Sequence, residues 1–123
     1  MQPRSQRVLV VDDNRDSADS LVTAFAVLGH DAVAAYGGRE ALQCIAQARP
    51  SLIVLDLSMP EMDGYSLARA IRALPDYAAV PMVALSGFGS EADRAKSRAA
   101  GFDRHVLKPF DLSDLERMVE LVG

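Results

Sequence analysis

Three carboxylates, a hydroxyl and an amine stand where the short apolar runs of this chain end. Val8-Leu9-Val10-Val11 leads into Asp12-Asp13, Leu52-Ile53-Val54-Leu55 into Asp56, the run from Val80 to Leu85 into Ser86, and the run closing at Leu107 into Lys108. A single aspartate after an apolar run is what an ordinary turn uses. Polar groups of these types after four separate runs are hard to obtain from turn preference. If the runs are parallel strands, their carboxyl ends share one edge, where open α/β sheets bind ligands. Like charges about 4 Å apart repel by roughly 4 kcal/mol at an effective dielectric near 20, so such a cluster holds protons or a cation. All-oxygen donors suit Mg2+, which takes one or two carboxylates, keeps waters and accepts phosphate oxygens. A carboxylate beside that ion can attack a phosphoryl group and become an aspartyl phosphate. Lys108 would supply a positive contact and Ser86 a hydroxyl, in a transfer governed by alignment and charge neutralisation.

The elements that must position these groups alternate along the chain. Val8 to Val11 is apolar at odd and even positions alike, the pattern of a strand buried on both faces. Asn14 caps a helix with Asp16 and Ser17 in its first turn, an apolar stripe of Ala18, Leu21, Val22, Phe25 and Leu28, and Gly29 at its end. Asp31 to Ala35 is a weaker strand, broken by Gly37-Gly38. Ala41, Leu42, Ile45 and Ala48 mark the second helix, closed by Pro50. After the strand that ends at Asp56, Asp63 caps a helix carrying Leu67, Ala70, Ile71 and Leu74, and Pro75 stops it. Val80 to Leu85 is the fourth strand. Ser90, with Asp93 three residues on, opens a fourth helix whose apolar residues are nearly all alanine: Ala92, Ala95, Ala99 and Ala100. Alanine methyls remove little area from water, so this helix is expected to be loosely held. Gly101 ends it. Asp103 to Leu107 is the fifth strand, and Ser113 with Glu116 forms a capping box ahead of Leu115, Met118, Val119 and Val122. Five strand–helix repeats imply right-handed crossovers and a parallel sheet covered on both faces. Five are too few for an eight-fold barrel, which leaves an open doubly wound sheet.

Composition bounds the function. The chain has 123 residues, 50% hydrophobic and 24% charged, as a single globular domain does. Its net charge of -4 opposes a nucleic-acid surface. No apolar run approaches the roughly 20 residues of a membrane span, and residues 1–6 lack a signal core, so a cytoplasmic location is expected. The lone Cys44 makes no disulfide framework, and His30 and His105 lack metal-ligand spacing.

With these residues in place, the chain resembles the receiver domains of two-component response regulators. The resemblance rests on Asp12-Asp13, on Asp56 ahead of Met59-Pro60 and Asp63-Gly64, on Ser86, and on Lys108-Pro109. It covers residues 7–122 and leaves residues 1–6 as a tail. It implies a flavodoxin-like (βα)5 fold with strand order 2-1-3-4-5, and a signalling phosphoacceptor rather than an enzyme. By the same resemblance Asp56 is the phosphoacceptor. Asp13 and Asp56 give side-chain oxygens to Mg2+ (Mn2+ can substitute), Asp12 acts through water, and the Ser58 carbonyl completes the protein ligands. Ser86 and Lys108 match the switch hydroxyl and the lysine, and Lys108-Pro109 is often cis in this family. The segments Ser86-Gly87-Phe88-Gly89 and Ala100-Gly101-Phe102-Asp103 also resemble receivers attached to sensor histidine kinases.

Two positions depart from the family's usual pattern or vary within it. His105 stands where the family commonly carries Tyr or Phe, a side chain that swings inward on phosphorylation. Phe88, two residues after Ser86, stands where water's approach to the aspartyl phosphate is controlled, and its bulk is expected to slow hydrolysis. The implied switch draws Ser86 inward, repacks Gly87-Phe88-Gly89 and moves the alanine-rich helix, exposing a new surface on the fourth helix, fifth strand and fifth helix. Arg94, Lys96, Arg98 and Arg104 are candidates for a partner footprint there. A histidine kinase or histidine phosphotransfer protein is the expected partner near Asp56 and the first helix. A flavin module fits poorly, because Asp12-Asp13 would repel its phosphate. A haloacid-dehalogenase-type phosphohydrolase needs an Asp-x-Asp pair, and Ser58 occupies the second position. A degenerate, constitutive receiver would not need the acidic cluster and Lys108.

Overall fold

The computed structural model describes residues 5–57 and 63–122. Five strands, β1 (Arg7–Val11), β2 (Asp31–Ala35), β3 (Leu52–Asp56), β4 (Met82–Ser86) and β5 (Arg104–Leu107), pair in parallel in the order β2-β1-β3-β4-β5. Five helices alternate with them: α1 (Arg15–Val27), α2 (Gly38–Ala48), α3 (Gly64–Arg72), α4 (Glu91–Ala100) and α5 (Leu112–Glu120). A 3-10 turn, Pro75–Tyr77, follows α3. This is the doubly wound sheet that the strand–helix repeats imply, in the strand order that the resemblance implies.

The two-residue period of the strands divides the core. Leu9, Val11, Ile53, Leu55, Met82 and Ala84 face α2, α3 and α4, meeting Ile45, Leu67, Ile71 and Ala100. Val8, Val10, Leu52, Val54, Val83 and Leu85 face α1 and α5, meeting Leu21, Phe25, Leu115 and Met118. The uninterrupted apolar runs of the sequence are thus strands buried on both sides.

Register then fixes the functional edge. Val11 pairs with Leu55, so Asp12 comes level with Asp56. Asp56 pairs with Leu85 and Ser86 with Leu107, which sets Ser86 and Lys108 just beyond. Gly64 lets α3 start tightly beneath this edge, since a methyl group there would lie 2.8 Å from the Leu55 and Leu57 side chains.

Several local expectations are corrected. Ala92, Ala95 and Ala99 are exposed, and the buried residues of α4 are Ser97 and Ala100. The helix therefore buries even less apolar area than its alanines suggest. Polar contacts hold it instead. Lys96 lies 4.5 Å from the centre of the Tyr65 ring. Arg72 Nε and Nη2 donate to the Gly101 carbonyl at 2.9 and 2.7 Å. Gly101 caps α4 at φ 107, a left-handed conformation that favours glycine.

The capping box of α5 is formed by Asp111 and Asp114, not by Ser113 and Glu116. Asp111 accepts from the Asp114 N–H at 3.1 Å, and Asp114 returns the bond at 2.9 Å. The carboxylate two residues earlier captures the orphan amides first. Leu42, Ala70 and Leu74, expected on apolar faces, are exposed, while Ala68 packs inward beside Leu67. β4 begins at Met82 and Pro81 precedes it, its carbonyl accepting from Ile53 N at 3.0 Å. Gln6 is bound into the structure: its carbonyl accepts from Asp31 N at 2.9 Å, and its N–H donates to His30 Nδ1 at 3.0 Å.

Candidate functional site

Asp12 and Asp56, each only 3% exposed, sit side by side at the carboxyl edge of β1 and β3. Asn14 N–H donates to Asp12 Oδ1 at 3.0 Å, turning that carboxylate toward the start of α1. Burial pushes the Asp12 carboxyl up to about 6, and the nearby Asp56 charge and a hydrogen bond between the two carboxyls push the same way. The Asn14 amide and Lys108 oppose this. Lys108 Nζ ion-pairs with Asp56 Oδ2 from the end of β5, and the Lys108–Pro109 peptide is cis, as the resemblance implies. These groups line a cleft of about 680 Å3 between α1 and α5, whose walls include Ser17, Leu21, Pro109 and Leu115.

The donor chemistry fits Mg2+. Two buried, adjacent carboxyls form an all-oxygen set that a small hard cation would relieve of its repulsion. Asp13 follows half-buried, and among the described residues no three acidic, imidazole or thiolate side chains form a metal-holding group. An ion here would complete its shell with carbonyls and water, as Mg2+ commonly does. Ser58, Met59 and Pro60 lie outside the described residues.

Ser86 is buried at the end of β4, and its Oγ accepts the Phe88 N–H at 2.9 Å. The Phe88 side chain points outward and is 70% exposed. The Phe88 carbonyl is 2.8 Å from His105 Nε2, and His105 Nδ1 is 2.7 Å from Ser97 Oγ. A carbonyl only accepts, so Nε2 carries a proton. In the neutral ring Nδ1 is then the acceptor of the Ser97 hydroxyl. A continuous chain, Ser97–His105–Phe88–Ser86, links α4 to the edge that holds Asp56. His105, half-buried in β5, spans from the β4–α4 loop to the helix.

The structure thus brings Asp12, Asp56 and Lys108 together and sets Ser86 at the same edge. Ser97 is the residue that sequence reasoning passed over. It is 1% exposed and shares the buried face of α4 with Ala100, three residues on. A stripe drawn through the alanines misses it. The available signal was a serine at helical spacing from Ala100 with an imidazole on the next strand.

A flavodoxin-like α/β protein with a buried carboxylate pair and a lysine at its sheet edge is the class that fold and site define. The family profile described as response regulator receiver domain matches residues 8–120, and this chain belongs to that family. The transcriptional regulatory protein PrrA of Mycobacterium tuberculosis is 40% identical over 116 residues, covering 94% of this chain and 49% of the relative. The chain spans about half the length of the curated relatives it matches. Chemotaxis response regulator CheY4 of Vibrio cholerae superposes with a TM-score of 0.88 at 28% identity, covering 98% of this chain and 100% of that one. The receiver domain of sensor histidine kinase PA1611 from Pseudomonas aeruginosa, described with magnesium coordinated in its active-site cleft, gives 0.86 at 29% identity, covering 98% and 99%. Among the described residues no helix is long and apolar enough to cross a membrane.

Proposed function

We propose that this receiver accepts a phosphoryl group on Asp56 from a phosphohistidine of a sensor histidine kinase or histidine phosphotransfer protein, or from a small phosphodonor, in the cytoplasm. The carrying observation is the Lys108 ammonium on one oxygen of a buried Asp56, with Asp12 alongside, at the wall of an open cleft. An Asp56 carboxylate oxygen attacks phosphorus. The bond from phosphorus to the donor nitrogen, or to the donor oxygen of an acyl phosphate, breaks, and its electron pair leaves with the donor. Lys108 offsets the charge gathered at the aspartyl phosphate. Asp12, Asp13, Asp56 and the Ser58 carbonyl would hold Mg2+, which supplies charge neutralisation on the phosphoryl oxygens. The domain assists this transfer and its reversal by water without turning over a separate substrate.

Ser86 would donate its hydroxyl proton to a phosphoryl oxygen. Moving toward Asp56, it pulls on the Phe88 N–H and so on His105 and Ser97. His105 is then the switch residue that carries the change to α4, as a two-state shift of a weakly buried helix. The surface of α4, β5 and α5 is the output face. PrrA is a transcriptional regulatory protein, and a longer protein containing this receiver would by analogy have a transcriptional output, without this acidic domain itself touching DNA.

The test is incubation with acetyl phosphate and Mg2+ followed by intact mass. One added phosphate is expected, absent in Asp56→Asn and in the presence of a chelator. No gain with either acetyl phosphate or a phosphorylated histidine donor refutes the reading.

A further inference from the structure

A second cavity, of about 210 Å3, lies between α4 and β5, lined by Arg94, Ser97, Arg98, Phe102, Arg104 and His105. It is smaller than the roughly 300 Å3 at which pockets for drug-sized ligands and cofactors begin. It suits one functional group, not a nucleotide. Its chemistry is one-sided. Three arginines and one aspartate line it in a chain whose net charge is -4. The carboxylate in its wall, Asp103, is already engaged, by Arg72 Nη2 at 2.9 Å and Met82 N–H at 2.8 Å. Arg94 Nε donates to the Gly89 carbonyl at 3.3 Å. Among the described residues no ion pair involves Arg94, Arg98 or Arg104. The wall between them is built rather than loose: Ser97 is 1% exposed and hydrogen-bonded to His105.

An apolar shelf adjoins this pocket. Phe88 is 70% and Leu107 41% exposed. The loop after Phe88 lies over Leu107, since a methyl on Gly89 would sit 2.6 Å from the Leu107 side chain. Leu107 and His105 are two apart on β5 and share a face. An inorganic anion would use the arginines and leave the shelf empty. An acidic residue next to an apolar one on a polypeptide would use both, and guanidinium forks match a carboxylate in two parallel bonds.

We infer that this pocket receives the carboxylate of an acidic side chain on a protein partner, with a neighbouring apolar side chain of that partner laid on Phe88 and Leu107. The site deepens the proposed output face and rests on that reading for its link to phosphorylation. His105 is shared between the pocket wall and the chain that ends at Ser86, so occupancy of one biases the other, with reciprocal effect.

The test uses the full chain labelled for amide NMR. It is titrated with a blocked tripeptide bearing glutamate between two leucines, with its glutamine counterpart, and separately with inorganic phosphate. The expected result is saturable shifts confined to residues 88–107 with the glutamate peptide. Binding should weaken roughly tenfold for the glutamine peptide and for the Arg98→Ala, Arg104→Ala double variant. Both arginines are exposed, so the variant should fold, which its circular dichroism will verify. Equal binding of the two peptides, shifts unmoved by the double variant, or no shifts at millimolar peptide overturns the inference. So does phosphate binding more tightly than the glutamate peptide. Intact mass after acetyl phosphate treatment runs alongside. Loss of phosphate uptake in the unmodified chain defeats the receiver reading, while the peptide result stands or falls separately.

Discussion

Lys108, one residue past β5, reaches the carboxylate of Asp56, 52 positions earlier at the end of β3, and ion-pairs with its Oδ2 oxygen. Asp56 is almost wholly buried, while the Lys108 side chain is 34% exposed. Removing one partner of a fully buried pair costs roughly 3–5 kcal/mol. Solvent screening at Lys108 should reduce the coupling here to about 1 kcal/mol. A double-mutant cycle of Lys108→Ala and Asp56→Asn, followed by urea unfolding without metal, measures it. A coupling indistinguishable from zero would mean that Lys108 waits for a phosphoryl group rather than for Asp56.

Asp12 and Asp56 are held together against their charge, so the metal-free fold stores a repulsion. Asp12→Asn should raise stability without Mg2+ by about 1 kcal/mol. That corresponds to roughly 4 °C in melting temperature for a domain of this size. The same change should abolish any Mg2+-dependent rise in melting temperature. Thermal unfolding with Mg2+ and with chelator decides both. A variant less stable than the parent in chelator contradicts the idea that the pair is strained.

The fold and the edge of the sheet were legible because burial on both faces writes itself as unbroken apolar runs, and because parallel strands deliver every carboxyl end to one place. Asp12, Asp56, Ser86 and Lys108 needed no side-chain detail. The Ser97–His105–Phe88 connection was not legible. It joins a helix, a strand and a loop carbonyl through one imidazole, and neither spacing nor residue type records which way a ring points. The cap of α5 was misplaced for a related reason: Asp111 and Ser113 both suit an N-cap, and the backbone entering the helix chooses between them.

Acid should weaken the fold through its helix caps. The Asp63, Asp93 and Asp111 carboxyls lie below the usual carboxylate value, chiefly through hydrogen bonds from the Ser66, Ser90 and Ser113 hydroxyls. A depressed folded-state value means that the unfolded chain binds protons sooner. The stabilisation is complete above the unfolded value and disappears as pH falls through the folded one. Asp111→Asn keeps a capping side chain but cannot titrate. Its urea midpoint should fall less than the parent's between about pH 5 and about pH 3. Equal falls would assign acid sensitivity to other groups.

Arg72 is a structural clamp. Its guanidinium bonds the Gly101 and Tyr77 carbonyls and the Asp103 carboxylate, tying the end of α3 to the turn between α4 and β5. Lysine keeps the charge but not the planar fork. Arg72→Lys should cost about 2 kcal/mol, because half-buried carbonyls lose their donors. Urea unfolding reads the loss, and a change under about 0.5 kcal/mol, the range of ordinary surface substitutions, would reduce Arg72 to one of them.

His105→Phe keeps a ring at the position but removes both hydrogen bonds that join α4 to the Phe88 carbonyl. The buried Ser97 hydroxyl is left to find a backbone acceptor. Since α4 buries little apolar area, those bonds form much of its attachment, and each is worth about 1 kcal/mol. Amide hydrogen exchange in α4 should therefore accelerate roughly five- to thirty-fold while β1 and β3 are unchanged, as expected when a local opening becomes easier and the global one does not. His105→Gln can retain one of the two bonds and should fall between. If exchange accelerates equally throughout the chain, His105 supports the whole fold, and the proposed communication between Ser86 and α4 is lost.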